Sequence, residues 1–183
     1  MNKQVRDQLE MYPYAYVYKG EKTLLVWQTS GAEQDSFMID SEKCLITAKT
    51  EEELRRKLGS ESNRIRWSEG AEISLDNFWK ALTNLRAGRS SSKRTCEVLL
   101  EGWNFIEDLA RTFRLDKPMS KLRSALLKRV YEKLFFGNNL PAVTPESKSY
   151  SPLWLQQEIA LFRKEIHSIW KILEVKITVK DSK

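Results

Sequence analysis

Apolar side chains change their spacing partway along this 183-residue chain, and that change decides what it can fold into. From Tyr12 to Tyr18 a tyrosine falls on every second residue, with Pro13, Ala15 and Val17 between them. This is the repeat of a β-strand, whose successive side chains point to opposite faces. From Cys96 onward, Cys96, Leu99, Trp103, Ile106, Ala110 and Phe113 advance by 3, 4, 3, 4 and 3 residues, the seam of an amphipathic helix. A chain that opens with one period and continues with the other belongs to the α+β class.

Local signals place the elements. Lys19-Gly20-Glu21-Lys22 interrupts the first run before Thr23 to Thr29, so the segment forms a β-hairpin in which Gly20 supplies the awkward backbone angle. Ser36 to Asp40 and Lys43 to Ala48 read as a second pair of short strands, giving a three- or four-stranded antiparallel meander. Thr50, with Glu53 three residues on, has the pattern of a helix N-cap and capping box. A polar connection from Asn63 to Glu72, with Trp67 in a short strand, leads to a helix capped by Ser74 or Asp76.

After the long seam, Leu122, Leu126, Val130 and Leu134 predict a helix from near Pro118 to Gly137, and Ile159, Phe162, Ile166, Ile169 and Leu173 predict another, entered through Pro152. Val175, Ile177 and Val179 then alternate with Lys176, Thr178 and Lys180, the pattern of a C-terminal strand returning to the sheet. The expectation is one domain over 1–183, mainly sheet from 1 to 72 and mainly helical from 73 to 183, large enough to form a core without a disulfide or metal.

Chemistry-bearing residues are few. The chain holds one histidine, His167, and two cysteines, Cys44 and Cys96, without a CxxC pair or a Gly-rich phosphate loop. At helical spacing His167 has Lys164 and Lys171, neither of which completes an acid–base pair. Glu107-Asp108 and Glu51-Glu52-Glu53 bring acids together in sequence, but neighbouring side chains on a helix point in different directions, so exposed charge, helix capping or partner contact explains them better than catalysis. The chain is therefore expected to be no enzyme and to need no cofactor or metal. Isolated thiols, a charged N-terminus and the lack of ~18 consecutive apolar residues point to a cytoplasmic protein with no membrane contact.

Binding candidates remain. Tyr14, Tyr16 and Tyr18 either pack inward or stand on an open strand face as rigid amphipathic contacts. Residues 1–85 carry net charge −2 and residues 86–183 carry +8. In the first part Glu33, Asp35, Asp40 and Glu42 form a local acidic group; in the second Arg86, Arg89, Lys93 and Arg94 surround a Gly/Ser loop that would suit nucleic acid.

Three runs carry a family likeness: Leu100-Glu101-Gly102-Trp103-Asn104-Phe105-Ile106-Glu107-Asp108-Leu109-Ala110, then Tyr131-Glu132-Lys133-Leu134-Phe135-Phe136-Gly137-Asn138-Asn139-Leu140-Pro141, then Ser151-Pro152-Leu153-Trp154. Over roughly residues 98–160 the chain resembles immunity proteins of bacterial contact-dependent growth inhibition and related polymorphic-toxin systems. The resemblance implies a small cytoplasmic protein that binds the toxic C-terminal domain of a cognate effector and blocks it. Tyr14, Tyr16, Tyr18, Glu33, Asp35, Asp40 and Glu42 are then the expected toxin contacts. The alternative is a basic nucleic-acid-binding regulator.

Overall fold

The computed structural model describes residues 9–29, 35–140, 142 and 149–178. Strands β1 (Glu10–Tyr18) and β2 (Glu21–Thr29) form the expected hairpin, registered Tyr12 to Trp27, Tyr14 to Leu25 and Tyr16 to Thr23. The two turn residues, Lys19 and Gly20, both have positive φ, 53° and 76°, the geometry that matches a tight turn to the twist of its strands. Lysine tolerates that angle because Asp76 clasps the turn: its carboxylate accepts the backbone N–H of Lys19 at 2.7 Å and of Gly20 at 2.9 Å. Asp76 thus serves the hairpin, while Ser74 caps the helix.

The sheet is mixed rather than an antiparallel meander. Its order is β3-β2-β1-β4, with β3 only Ser36–Phe37 and β4 (Ala71–Ser74) parallel to β1. Beyond β3 the expected second pair of strands shrinks to single bridges, Ile39 to Leu45 and Leu24 to Ala48. The strand expected at Trp67 is a 3-10 turn, Trp67–Glu69, and the strand lies just after it, where Ile73 meets Tyr16 across the ladder. Between β3 and β4 run α1 (Glu51–Leu58) and a 3-10 segment, Gly59–Arg64. That excursion over one sheet face is what lets the chain re-enter parallel to β1.

Alternation sorts the sheet residues onto two cores. Met11, Val26 and Ala48 pack with Leu54, Leu58 and Ile65 under α1. On the opposite face Tyr16, Leu25, Phe37 and Ile73 join the larger core beneath the helices. Phe105 is the hub of that contact: its ring lies 5.4 to 5.6 Å from those of Tyr14, Tyr16 and Phe37.

The helical layer comprises α2 (Leu75–Asn84), α3 (Lys93–Thr112), α4 (Asp116–Leu122), α5 (Ala125–Gly137) and α6 (Gln156–Thr178). Helix α3 is the central post, with Leu99, Trp103, Ile106 and Leu109 at most 2 % exposed. Gly102 lets α2 approach it, since a Cβ there would stand 2.1 Å from the Phe78 ring. Arg163 of α6 donates to the carbonyls of Leu82, Thr83 and Leu85, satisfying the orphan groups at the end of α2. Lys133 of α5 neutralises the buried Glu158 at 2.7 Å, and the Trp154 indole donates to Ser91 Oγ. The helix expected from Pro118 to Gly137 is broken at Arg123-Ser124 into α4 and α5.

No strand forms at Val175 or Ile177; α6 continues through both. Ile177 lies four residues after Leu173 and so extends the helical seam, which a period-2 reading of the same residues concealed. Val175 is 64 % exposed, Glu174 holds Lys19 and the Tyr18 hydroxyl, and Lys176 lies over the Phe113 ring. Val179 lies outside the described residues. Cys44 and Cys96 are unbonded thiols, and burial pushes that of Cys96 up to about 11.

Candidate functional site

Helices cover the tyrosine face of the sheet unevenly. At one end Trp170 of α6 packs edge-on against Tyr18, with ring centroids 5.0 Å apart. Toward Tyr12 and Tyr14 a cleft of about 830 Å³ remains open between the sheet, α3 and the α4–α5 corner. Tyr12, Tyr14 and Trp27 form its sheet wall. Glu101, Asn104, Phe105, Asp108 and Arg111 form its helical wall, all on one stripe of α3 because they step by 3, 1, 3 and 3 residues. Arg123, Lys128 and Tyr131 close the far side.

The cleft reverses the charge of the molecule. Asp35, Glu69, Glu101, Glu107 and Asp108 line it against Arg111, Arg123 and Lys128, in a chain whose net charge is +6. Arg111 spans two of the acids, donating to Glu107 Oε1 and Asp108 Oδ1 at 2.6 Å each. Glu107 also accepts the Trp103 indole N–H at 3.2 Å. Even with Arg111 beside it, burial pushes the Asp108 carboxyl from 3.8 up to about 7. Burial and the neighbouring Glu97 also raise Glu101, which makes no hydrogen bond or ion pair among the described residues. Tyr14 reports the same field: burial first, then the charges of Glu101 and Asp108, push its phenol up to about 12.

The expected contact residues separate. Tyr14 and Asp35 line the cleft. Tyr16 is 5 % exposed and belongs to the core, so it offers no surface to a partner. Its strand face is the one that α3 covers, because a row of rings provides the large apolar area that a central helix packs on. Tyr18 is half-buried and committed to Trp170 and Glu174. The Asp40 carboxylate accepts the backbone N–H groups of Glu42 and Cys44, which shapes a turn, and Glu42 is exposed beside it. Neither lines the cleft. Glu33 lies outside the described residues.

Glu107 and Asp108, expected to point apart, both reach the cleft. Their convergence on Arg111 was visible in the sequence as i,i+4 and i,i+3 spacings. Trp27, Asn104 and Tyr131 carry no such signal, because chain crossing alone brings them together.

A second cavity of about 610 Å³ lies between α2, the 85–92 loop and the start of α3. Lys80, Arg86, Arg89 and Arg94 line it with no carboxylate among its lining residues. His167 is exposed, its ring 4.9 Å from that of Trp79. Among the described residues no group of three or more His, Cys, Asp or Glu side chains is placed to hold a metal ion, and no helix is long and apolar enough to cross a membrane. The chain matches no protein-family model, no curated protein and no solved structure.

Proposed function

We propose that this protein neutralises a cognate protein toxin by forming a stoichiometric complex with it, as an immunity protein does, and that it turns over no substrate. The observation that supports this reading is the open, aromatic-walled cleft with an excess of carboxylates in a basic chain. Aromatic side chains at the rim of a preformed concavity supply anchoring area at little entropic cost. An acidic lining steers and orients a basic partner. The segments that resemble immunity proteins contribute to this wall, Glu101 to Asp108 from α3 and Tyr131 from α5. A complex built on the cleft and its rim would bury ~1,200 to 2,000 Å² in total.

The test is protection. Cells expressing the chain should survive the toxin encoded beside its gene and succumb to unrelated toxins, and the two purified proteins should elute as a 1:1 complex. Survival without a complex, or a complex without survival, contradicts the proposal.

The carboxylate-free second cavity favours one other reading, nucleic-acid binding through Arg86, Arg89 and Arg94. It requires a gel shift that weakens steeply between 50 and 200 mM salt, on the order of a hundredfold or more, and that Arg89→Glu reduces further. No shift at either concentration dismisses it.

A further inference from the structure

The inner lining of the cleft narrows the chemistry of what enters it, on the premise that the protein acts by binding another protein. We infer that the partner inserts two arginine side chains, one guanidinium meeting Glu101 and the other Asp108, each lying against an aromatic wall. Arg123 and Lys128, on the facing wall, make no ion pair with these acids among the described residues; Glu101 has no ion-pair partner among them, and the Arg111 that meets Asp108 is shared with Glu107. Burial of Asp108 outweighs what Arg111 offsets, which is why its carboxyl is raised.

Spacing sets the number of anchors. Glu101 and Asp108 are seven residues apart on one stripe of α3, about 10 Å along its axis at 1.5 Å per residue. An extended segment advances about 3.3 Å per residue, so long side chains two or three positions apart reach both acids from one strand or loop. Asn104 lies midway between them and accepts the Tyr131 hydroxyl hydrogen at 3.1 Å, which fixes that ring at the side of the path.

Arginine fits better than lysine for two reasons present in the molecule itself. A planar guanidinium stacks on an aromatic face and forks onto carboxylates, whereas an ammonium is a compact, strongly hydrated charge. At the lip of the cleft Arg66 already lies 5.5 Å from the centre of the Tyr12 ring while donating to its hydroxyl. Inside the cleft Arg111 already forks across Glu107 and Asp108. Both arrangements repeat what the incoming side chains would do at Glu101 and at Asp108.

The probe is a capped pentapeptide, Gly-Arg-Gly-Arg-Gly, titrated into the whole chain while the indole N–H signals of Trp27 and Trp103 are followed by NMR. Both indoles belong to residues that line the cleft, and that of Trp103 donates to Glu107. We expect saturable shifts of both signals, at least threefold weaker binding of the lysine analogue, and none of a glutamate analogue. Glu101→Gln, at an exposed position that does not bear on folding, should weaken the arginine peptide at least fivefold. Absence of saturable shifts, or shifts insensitive to Glu101→Gln, overturns the inference. Failure of the premise reads differently: a chain that binds the peptide yet protects against no toxin loses the neutralisation proposal. A toxin neutralised in a 1:1 complex that leaves both indole signals unmoved overturns the arginine anchors alone.

Discussion

Asp108 shows how a fold can hold a carboxyl in a cleft at the expense of stability. Facing it are Arg111 and Glu107 from its own helix, Asp35 from the segment leading into β3, and the Trp27 indole of β2; burial outweighs the help from Arg111 and Trp27. A carboxyl whose folded value is raised from 3.8 to about 7 holds a proton that the unfolded chain has already lost. Its contribution to stability is therefore fully present below pH 3.8, declines as pH rises through 7, and stays lost above that. Asn at this position cannot ionise, though it also releases Arg111. We predict that Asp108→Asn raises stability at pH 8 by about 1 to 2 kcal/mol, roughly 2 to 8 °C in Tm, and changes it little at pH 4. Thermal melts of both proteins at the two pH values measure this, and a gap that is absent or shrinks toward pH 8 contradicts it. Nothing in the sequence singles out Asp108 over its neighbour Glu107, because burial comes from β2 and β3, some seventy residues earlier in the chain. By contrast Thr50 was legible as a cap, since the two bonds of the motif, from the Glu53 N–H to Thr50 Oγ1 and from the Lys49 N–H to the Glu53 carboxylate, each span at most four residues.

At the scale of elements, α3 decides both the core and the cleft. One stripe of it carries Leu99, Trp103, Ile106 and Leu109 into the interior, and an adjoining stripe carries Glu101, Asn104 and Asp108 to the opening. Its position depends on Gly102, where α2 lays the fully buried Phe78 ring directly on the backbone. Intrinsic helix propensity favours alanine over glycine by about 1 kcal/mol. The ring, 2.1 to 2.8 Å from the added Cβ, opposes it, and overpacking of that kind costs about 1 to 3 kcal/mol and more when the neighbour cannot move. We predict that Gly102→Ala is net destabilising by about 2 kcal/mol in urea unfolding, and that Phe78→Leu in the same chain returns part of the loss; a stabilised Gly102→Ala would contradict the packing described here. The long helices and the hairpin were legible because their periods repeat locally over many residues. Strand β4 was not, since four residues with a single buried apolar side chain, Ile73, carry too little pattern and owe their placement to Tyr14–Val17 of β1. The tail misled for the related reason that Ile177 suits either period until Leu173, four residues earlier, is counted with it, while Val175 between them is exposed.

Across the whole molecule, charge is sorted more finely than the division between an acidic first part and a basic second part indicates. The acidic cleft draws Glu101, Glu107 and Asp108 from the basic part of the chain, and the carboxylate-free cavity lies around the far end of α2. Two surfaces of opposite chemistry therefore belong to one fold, and each makes a separate demand on experiment. The most direct measurement compares toxin protection by the wild type with that of Glu101→Lys in the cleft and Arg89→Glu in the second cavity. We predict that Arg89→Glu protects like the wild type, while Glu101→Lys, whose fold should be unchanged by circular dichroism, loses affinity for the toxin at least tenfold and loses protection. Full protection by Glu101→Lys would contradict it.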